Sequence, residues 1–453
     1  MPSSKMTSNG TFDEESVNFH SVPIVDVTKE NLLALEPTIR LAIESWDFIA
    51  IDCELSGLGD RKKLNAPSIE DRYFNSGIVA KTRSIIALGL SIFKEGSGGK
   101  DGDFQIASKR YQAQTYNIVV LCSEDYIVEP GSVNFLVKHG FNFNQQYSHG
   151  VPYYRGNDRD KSSVEENRLR NIFADIVRSK KKVVFHNGLV DIVFLYQNLY
   201  AQLPQTLPAF LADLCEMFPN GIYDTKYIAE YIYRLTSTFL EFVFKKLYKI
   251  NRNRCSKLLP NVEITFPHYP HNYKCVEYIR CAPNNDYVGE NKVVCQAFAN
   301  HGNCQSKDCS KSHDVDYILA AEDKKSNKKK RREKETNEDS IKSREDEPRE
   351  DLLVGQLDTS IKSTSEKNRV TGHRAGMDAF MTGYSFAAFT WHKTKIVDDN
   401  VMVPSEVHTE TLANNMYLVA KEFPLLIRKN NFAKNSSSHA EKYEKIMKPN
   451  DAI

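Results

Sequence analysis

The chain has 453 residues, room for one large or two or three ordinary domains with a sizeable core, so size does not exclude an enzyme. Its 60 Lys+Arg against 59 Asp+Glu give no global attraction to a polyanion, which must then come from local clusters. No run approaches the roughly 18 to 20 apolar residues of a membrane span, the N-terminus has no apolar signal core, and nine cysteines, three of them regularly spaced, favour reduced thiols and a metal over disulfides; a reducing, intracellular setting is expected.

Residues 1–21 read as a disordered tail. "NLLALEPTIRLAIESW" then has helical periodicity and runs into "FIAIDCELSGLGD" (48–60), an apolar strand that ends on Asp52 and Glu54. Segments 83–93 and 114–122 are strand-like and are joined by the mobile-looking "KEGSGGKDGD", which predicts an antiparallel hairpin beside the acidic strand. Residues 132–153 read as helix then loop, and 164–179 as helix. "KKKVVFHNGLVDIVFLYQNLY" and "GIYDTKYIAEYIYR" each give a short strand followed by a helix. An α/β domain is therefore expected over 22–250, with the pattern dissolving into polar sequence from 251 to 290. A small module at 289–318 and a charged linker at 319–369 follow, and the apolar "HRAGMDAFMTGYSFAAFTW" (373–391) then restores core character. This order predicts one discontinuous domain, 22–250 with 370–430, interrupted by the module, and a disordered tail over 431–453.

Alternate strand residues share a face, so Asp52 and Glu54 stand side by side and repel unless something positive lies between them. Asp191 sits in the first turn of a helix at the carboxyl end of a strand, where α/β sheets bind ligands. Asp378 interrupts an apolar segment, five residues after His373, and a buried acid needs a partner or a metal. Two divalent cations about 3.5 to 4 Å apart would screen four such carboxylates and could clamp a phosphodiester. An all-oxygen donor set favours Mg²⁺ or Mn²⁺. His373 would then be free to take a proton from an attacking water. Asp224 in "GIYDTKY" reads as a helix N-cap and His186 as a packing or turn residue.

"CQAFANHGNCQSKDCSKSH" presents Cys295, Cys304, Cys309 and His313, a closed Zn²⁺ ligand set in a stretch too short and polar to fold on burial alone. Cys275 and Cys281 are rival ligands at a longer, irregular spacing. Phe298 and Tyr317 are candidates for stacking on RNA bases, with a core role equally open to Phe298. "KKSNKKKRREK" (324–334) holds eight cations in eleven positions and reads as a nuclear import signal, with RNA contact as a second role. "RSKKKVVF" (178–185) adds a smaller basic cluster beside the Asp191 strand, suited to a polyanion entering the site.

The order D-x-E, a later Asp and H-x4-D resembles the DEDDh exonucleases, whose fold is ribonuclease-H-like: a mixed α/β sheet flanked by helices. "FIAIDCELSGLG", "HNGLVDIVFLY", "YDTKY" and "HRAGMDAFMTGY" resemble the deadenylase branch that includes the poly(A)-specific ribonuclease and the CAF-type deadenylases, over about 22–250 and 370–390. That resemblance implies Asp52, Glu54, Asp191 and Asp378 as ligands of two Mg²⁺ or Mn²⁺ ions and His373 as general base. It also implies hydrolysis of single-stranded RNA from the 3′ end, with oligo(A) or poly(A) as substrate and small nuclear RNA maturation as a setting. Cys53 departs from the Thr common there, and its side chain should point away from the metals. The module resembles CCCH fingers. Expected partners are RNA 3′ ends and the nuclear import machinery, with no membrane; oligomeric state is not encoded legibly. An inactive RNA-binding protein working through its finger would lack one of the acids, and a DNA exonuclease would share the fold, since fold does not determine substrate.

Overall fold

The computed structural model describes residues 21–96, 108–259, 261–270, 273–279, 293–306, 308–325, 374–391 and 409–448, with Val17 and Phe19 ahead of them. The strands are β1 Ser21–Val27, β2 Phe48–Leu55, β3 Ile85–Glu95, β4 Lys109–Cys122, β5 Val151–Tyr153, β6 Lys182–Phe185, β7 Ile222–Asp224, β8 Val262–Thr265, β9 Cys275–Ile279, β10 Asn415–Met416 and β11 Leu425–Leu426. The helices that shape the site are α1 Leu32–Ser45, α2 Ile69–Thr82, α3 Pro130–Lys138, α4 Val164–Ser179, α5 Leu189–Leu195, α6 Leu207–Met217, α7 Leu240–Ser256, α8 Ala375–Trp391 and α9 Ser437–Met447. The main path of the sheet is β11-β10-β7-β6-β2-β3-β4-β1-β9, with β5 and β8 pairing on β4. β2, β3 and β4 form the expected antiparallel run, and β6 and β7 continue from β2 in parallel.

The sheet is covered on both faces, as the alternation within β2 requires. Ile49, Ile51 and Cys53 enter one apolar layer with Leu35 and Ile39 of α1 and Leu169 and Ile172 of α4. Phe48 and Ala50 enter the other, with Phe380, Tyr384 and Phe386 of α8. Cys53 therefore points away from the face that carries Asp52 and Glu54, as expected. Almost every residue of α8 is buried, because it lies between the sheet and α7. The late apolar helix thus completes the first domain's core.

Four expectations change. β1 precedes the opening helix and lies parallel to β4 over Ile24–Val27; it begins at Ser21, with Val17 and Phe19 buried ahead of it, so the expected 1–21 tail is packed at its end. The polar region 251–290 contributes the end of α7 and two strands, β8 and β9, that join the main sheet; their pairing partners lie far away in sequence, so local pattern hides them. Residues 315–325 are helical, so 319–325 belong to a packed element, with Leu319 buried, and not to the linker; 326–369 lie outside the described residues. The C-terminal tail is ordered through Lys448: Ser436 caps α9, its N–H and hydroxyl donate to Asp213, and His439 is fully buried against the Tyr200 hydroxyl. A capping serine ahead of an amphipathic segment was the signal for that helix.

Candidate functional site

Asp52 and Glu54 leave β2 on the face that α8 covers, and the approach of α8 depends on what β3 places opposite them. Asp52 pairs with Gly89, and a Cβ at Gly89 would lie 1.9 Å from the Ala375 carbonyl oxygen. The helix backbone therefore rests directly on the strand. The start of α8 is held by Arg374, 3.1 Å from Asp26 on β1, and by Asn117 on β4, which accepts from the Gly376 N–H at 3.2 Å. Asn117 also donates to Asp26 at 3.0 Å. Asp378, in the first turn, is thereby delivered to the acidic strand. Asp52, Glu54 and Asp378 each offer a carboxylate oxygen, and these atoms lie within 4.8 Å of one another.

Asp191 joins from the first turn of α5. Burial first, and then the charges of Asp378, Asp191 and Glu54, push the Asp52 carboxyl well above its ordinary range. Burial likewise pushes Asp191 up to about 7, against the backbone N–H groups of Asp191 itself and Cys53, which favour its charged form. Converging buried carboxylates are unstable as anions unless a cation lies among them, so the donor set fits a hard divalent ion. His373 lies outside the described residues; its neighbour Arg374 is anchored as above.

The acids line a cleft of about 750 Å³. Sequence reasoning missed its walls. Glu129 accepts from the N–H groups of Leu58 and Gly59 at 3.2 and 2.8 Å and pairs with Arg83 at 2.7 Å, which pins the loop after β2. Phe135 and Leu136 of α3 form an apolar side, and Arg61 stands at the mouth, the first of three consecutive cations in "DRKKL". That triplet was the available signal. The other basic cluster is misplaced in the sequence reading: Lys182 pairs with Phe48, so Lys180, Lys181 and Lys182 sit at the far end of the strands, about 13 Å from Asp52 at ordinary strand rise.

Asp224 is the expected cap and no more. It is fully buried and accepts from the N–H groups of Asn187, Lys226 and Tyr417 at 2.8 to 3.0 Å, tying the β6 turn to the C-terminal segment. His186 bonds to the Thr225 hydroxyl and the Thr238 carbonyl, and burial, then Lys226, pushes its pKa down to about 3, so it is a neutral packing residue on the cleft edge.

Cys295, Cys304, Cys309 and His313 bring their donor atoms within 4.8 Å of one another, a cluster able to hold zinc. A backbone hydrogen bond at Phe298 is the main influence that holds the Cys295 thiol down to about 6, towards the thiolate a metal needs. Cys275 is committed to β9 opposite Val25, and Cys281 lies outside the described residues. Phe298 stacks on His313 at 4.8 Å and packs edge-on against Phe239, which favours its core role; Tyr317 is half-buried at the start of the next helix. The finger is seated on α7 through Phe242, Ile318 and Leu319, with Lys245 bridging to Asp316 at 3.1 Å and Lys246 to Glu322 at 3.2 Å.

The family described as CAF1 family ribonuclease matches this chain over residues 27–168 and 159–386. Human poly(A)-specific ribonuclease PARN is 25% identical over 197 residues, covering 41% of this chain and 27% of that protein. The 3′-5′ exoribonuclease parn-1 of Caenorhabditis elegans is 32% identical over 134 residues, covering 29% and 22%. Among solved structures, Schizosaccharomyces pombe Pop2p in its Mg²⁺- and Mn²⁺-bound form aligns over 50% of this chain and 82% of its own, with 20% identity and a TM-score of 0.37. The chain spans about a quarter of the length of these two curated relatives. Among the described residues, no helix is long and apolar enough to cross a membrane.

Proposed function

Since this chain belongs to the CAF1 family of ribonucleases, we propose that it is a 3′-to-5′ exoribonuclease that removes 3′ oligo(A) or poly(A) from RNA and releases 5′-AMP. One observation carries the reading: Asp52, Glu54 and Asp378, separated by more than three hundred residues of chain, meet in one cleft with Asp191 beside them. That convergence also counts against an inactive RNA-binding protein, which would have no reason to keep mutually repelling buried acids together.

The four carboxylates would hold Mg²⁺ or Mn²⁺, which when bound supplies charge neutralisation at the phosphate and a more acidic water. Everything else falls to the chain. The α3 wall, through Phe135 and Leu136, offers an apolar surface for the terminal base, while Glu129 holds the loop that faces it. His373 takes the proton of the attacking water; the water oxygen bonds to phosphorus, the bond to the 3′ oxygen of the preceding nucleotide breaks, and that oxygen leaves with the electron pair and takes a proton from solvent to become the new 3′ hydroxyl. Burial holds the Asp52 and Asp191 carboxyls above their ordinary range, and a bound divalent cation would favour their charged forms.

Zn²⁺ in the Cys295, Cys304, Cys309 and His313 set would stabilise the finger, with Tyr317 the remaining candidate to stack on RNA. We place the protein in the nucleus, carried there by import machinery that reads the 324–334 basic run, in the maturation of small nuclear RNA 3′ ends; the inserted finger gives the chain its likeness to the nuclear deadenylase known as "target of EGR". The test is a time course on 5′-labelled oligo(A), oligo(U), mixed RNA and DNA of the same sequence, with and without chelator. Stepwise, chelator-sensitive shortening with release of 5′-AMP, fastest on oligo(A), is expected. Equal digestion of DNA would shift the assignment to a deoxyribonuclease, and an Asp52→Asn protein with full activity would overturn it.

A further inference from the structure

A second groove, of about 740 Å³, opens beside the acidic cleft, and Leu58, Arg61, Asn187 and Val190 line both. One wall is formed by Arg61, Asn65 and Arg72. The facing wall is the finger, through Asn300, His301 and Asn303, and the floor includes Lys226, Thr238 and Tyr417. The finger's edge is seated at close range: the Ser237 hydroxyl donates to the Asn300 carbonyl at 3.2 Å, and Gly302, at φ +70°, lies so near Phe239 that a Cβ would come within 2.6 Å of the ring. The wall is therefore part of the fold and not a loosely tethered module.

The groove's charge is lopsided. Arg72 is almost wholly buried and donates only to the carbonyls of Ala66, Asn65 and Val419, neutral partners that leave its charge uncancelled. Lys226 donates to the Thr238 carbonyl and hydroxyl, both at 3.0 Å, and lies 5.0 Å over the Tyr417 ring. Arg61 forms no ion pair among the described residues. Against these three cations stand Glu230, which accepts from Thr238 at 2.8 Å, and the buried Asp224, whose charge also acts on Lys226. Cations held by neutral acceptors, with amides and an aromatic ring among them, suit a strand that carries phosphates and bases together.

A single strand with its 3′ nucleotide at the acids has to leave the cleft, and the four shared residues make this groove a continuous way out. We propose that it receives the nucleotides immediately 5′ of the one being removed, so that the Asn300–Asn303 edge of the finger is one wall of the RNA channel. This rests on the exoribonuclease reading and adds to it a preference for longer substrates set by the finger.

The test uses the full-length, zinc-loaded protein. For the parent, kcat/KM should be higher on a nonanucleotide oligo(A) than on a trinucleotide, and in a His301→Ala/Asn303→Ala variant with unchanged zinc content that ratio should fall about tenfold, the scale of one lost stacking or phosphate contact. A photoreactive adenosine placed a few nucleotides upstream should cross-link to the peptide containing residues 300–303, and one at the 3′ terminus should not. If the variant loses zinc, Asn65→Ala on the facing wall is judged on the same ratio. An unchanged ratio, or an upstream cross-link that falls elsewhere, overturns the proposal. If the parent cuts neither oligonucleotide, the exoribonuclease reading has failed, and the cross-link alone decides whether the groove takes RNA.

Discussion

The acidic cleft and the Cys/His cluster each bring together side chains able to hold metal, yet they are assembled in opposite ways. The finger gathers four ligands from nineteen consecutive residues, supported by a small apolar patch around Phe242, Ile318 and Leu319 and a few polar contacts. The cleft gathers its acids from β2, α5 and α8, and two complete apolar layers hold them in place against their own repulsion. On the proposed reading the finger would depend on its metal for shape, whereas the cleft has shape already and would depend on metal for charge. The two should respond differently to the same treatments.

The sharpest contrast is in activity. Asp52→Asn or Asp378→Asn should lower the rate of oligo(A) shortening on the order of 10³-fold or more, as expected for loss of a charge-stabilising group. The same change should raise the Tm of the metal-free protein, because it relieves a buried repulsion; a lowered Tm would show that the acids are structural partners. Next is the contact that brings α8 to the sheet. Gly89→Val puts side-chain atoms into the Ala375 backbone and should cost at least about 3 kcal/mol in chemical denaturation, with activity lost in the same variant. A stable, active Gly89→Val protein would break the claim that packing sets the cleft.

For the finger, Cys309→Ser or zinc chelation should expose the 295–313 segment to protease while the sheet keeps its hydrogen-exchange protection; collapse of both together would erase the contrast. Smaller still, Asp316→Ala removes one of the two acids that hold Lys245 and should weaken finger docking by about 1 kcal/mol, read as faster proteolysis of the 315–325 helix. The cleft also has a pH-sensitive edge. Partial burial raises the Glu129 pKa, but Arg83 and the N–H groups of Gly59 and Leu58 outweigh it and hold the carboxyl below its ordinary range. Its contribution is therefore fully present above that ordinary range and fades as pH falls through the lowered value. Glu129→Gln should flatten the acid limb of loop order, measured by exchange of the Leu58 and Gly59 amides.

The same division explains what could be read from residues alone. Asp52 and Glu54 announce themselves because they end an apolar run, and the finger because its four ligands are contiguous. The hairpin of β3 and β4 and the strand-helix units after it follow from local periodicity. β8 and β9 do not, since each is short and gains its hydrogen bonds only from a distant partner. Lys180–Lys182 mislead because a one-dimensional neighbour of Asp191 can lie at the other end of the same strand.

By itself the sequence determined the chemistry available: which acids, thiols and imidazoles exist, and that the first and last segments of the core are apolar enough to seek each other. Only the tertiary structure decided that Asp378 reaches Asp52, through a glycine thin enough for a helix to lie on a strand, and that the 300–303 segment borders the groove beside the cleft. The reason is that side-chain character is local, whereas the distance between two remote side chains is set by everything packed between them.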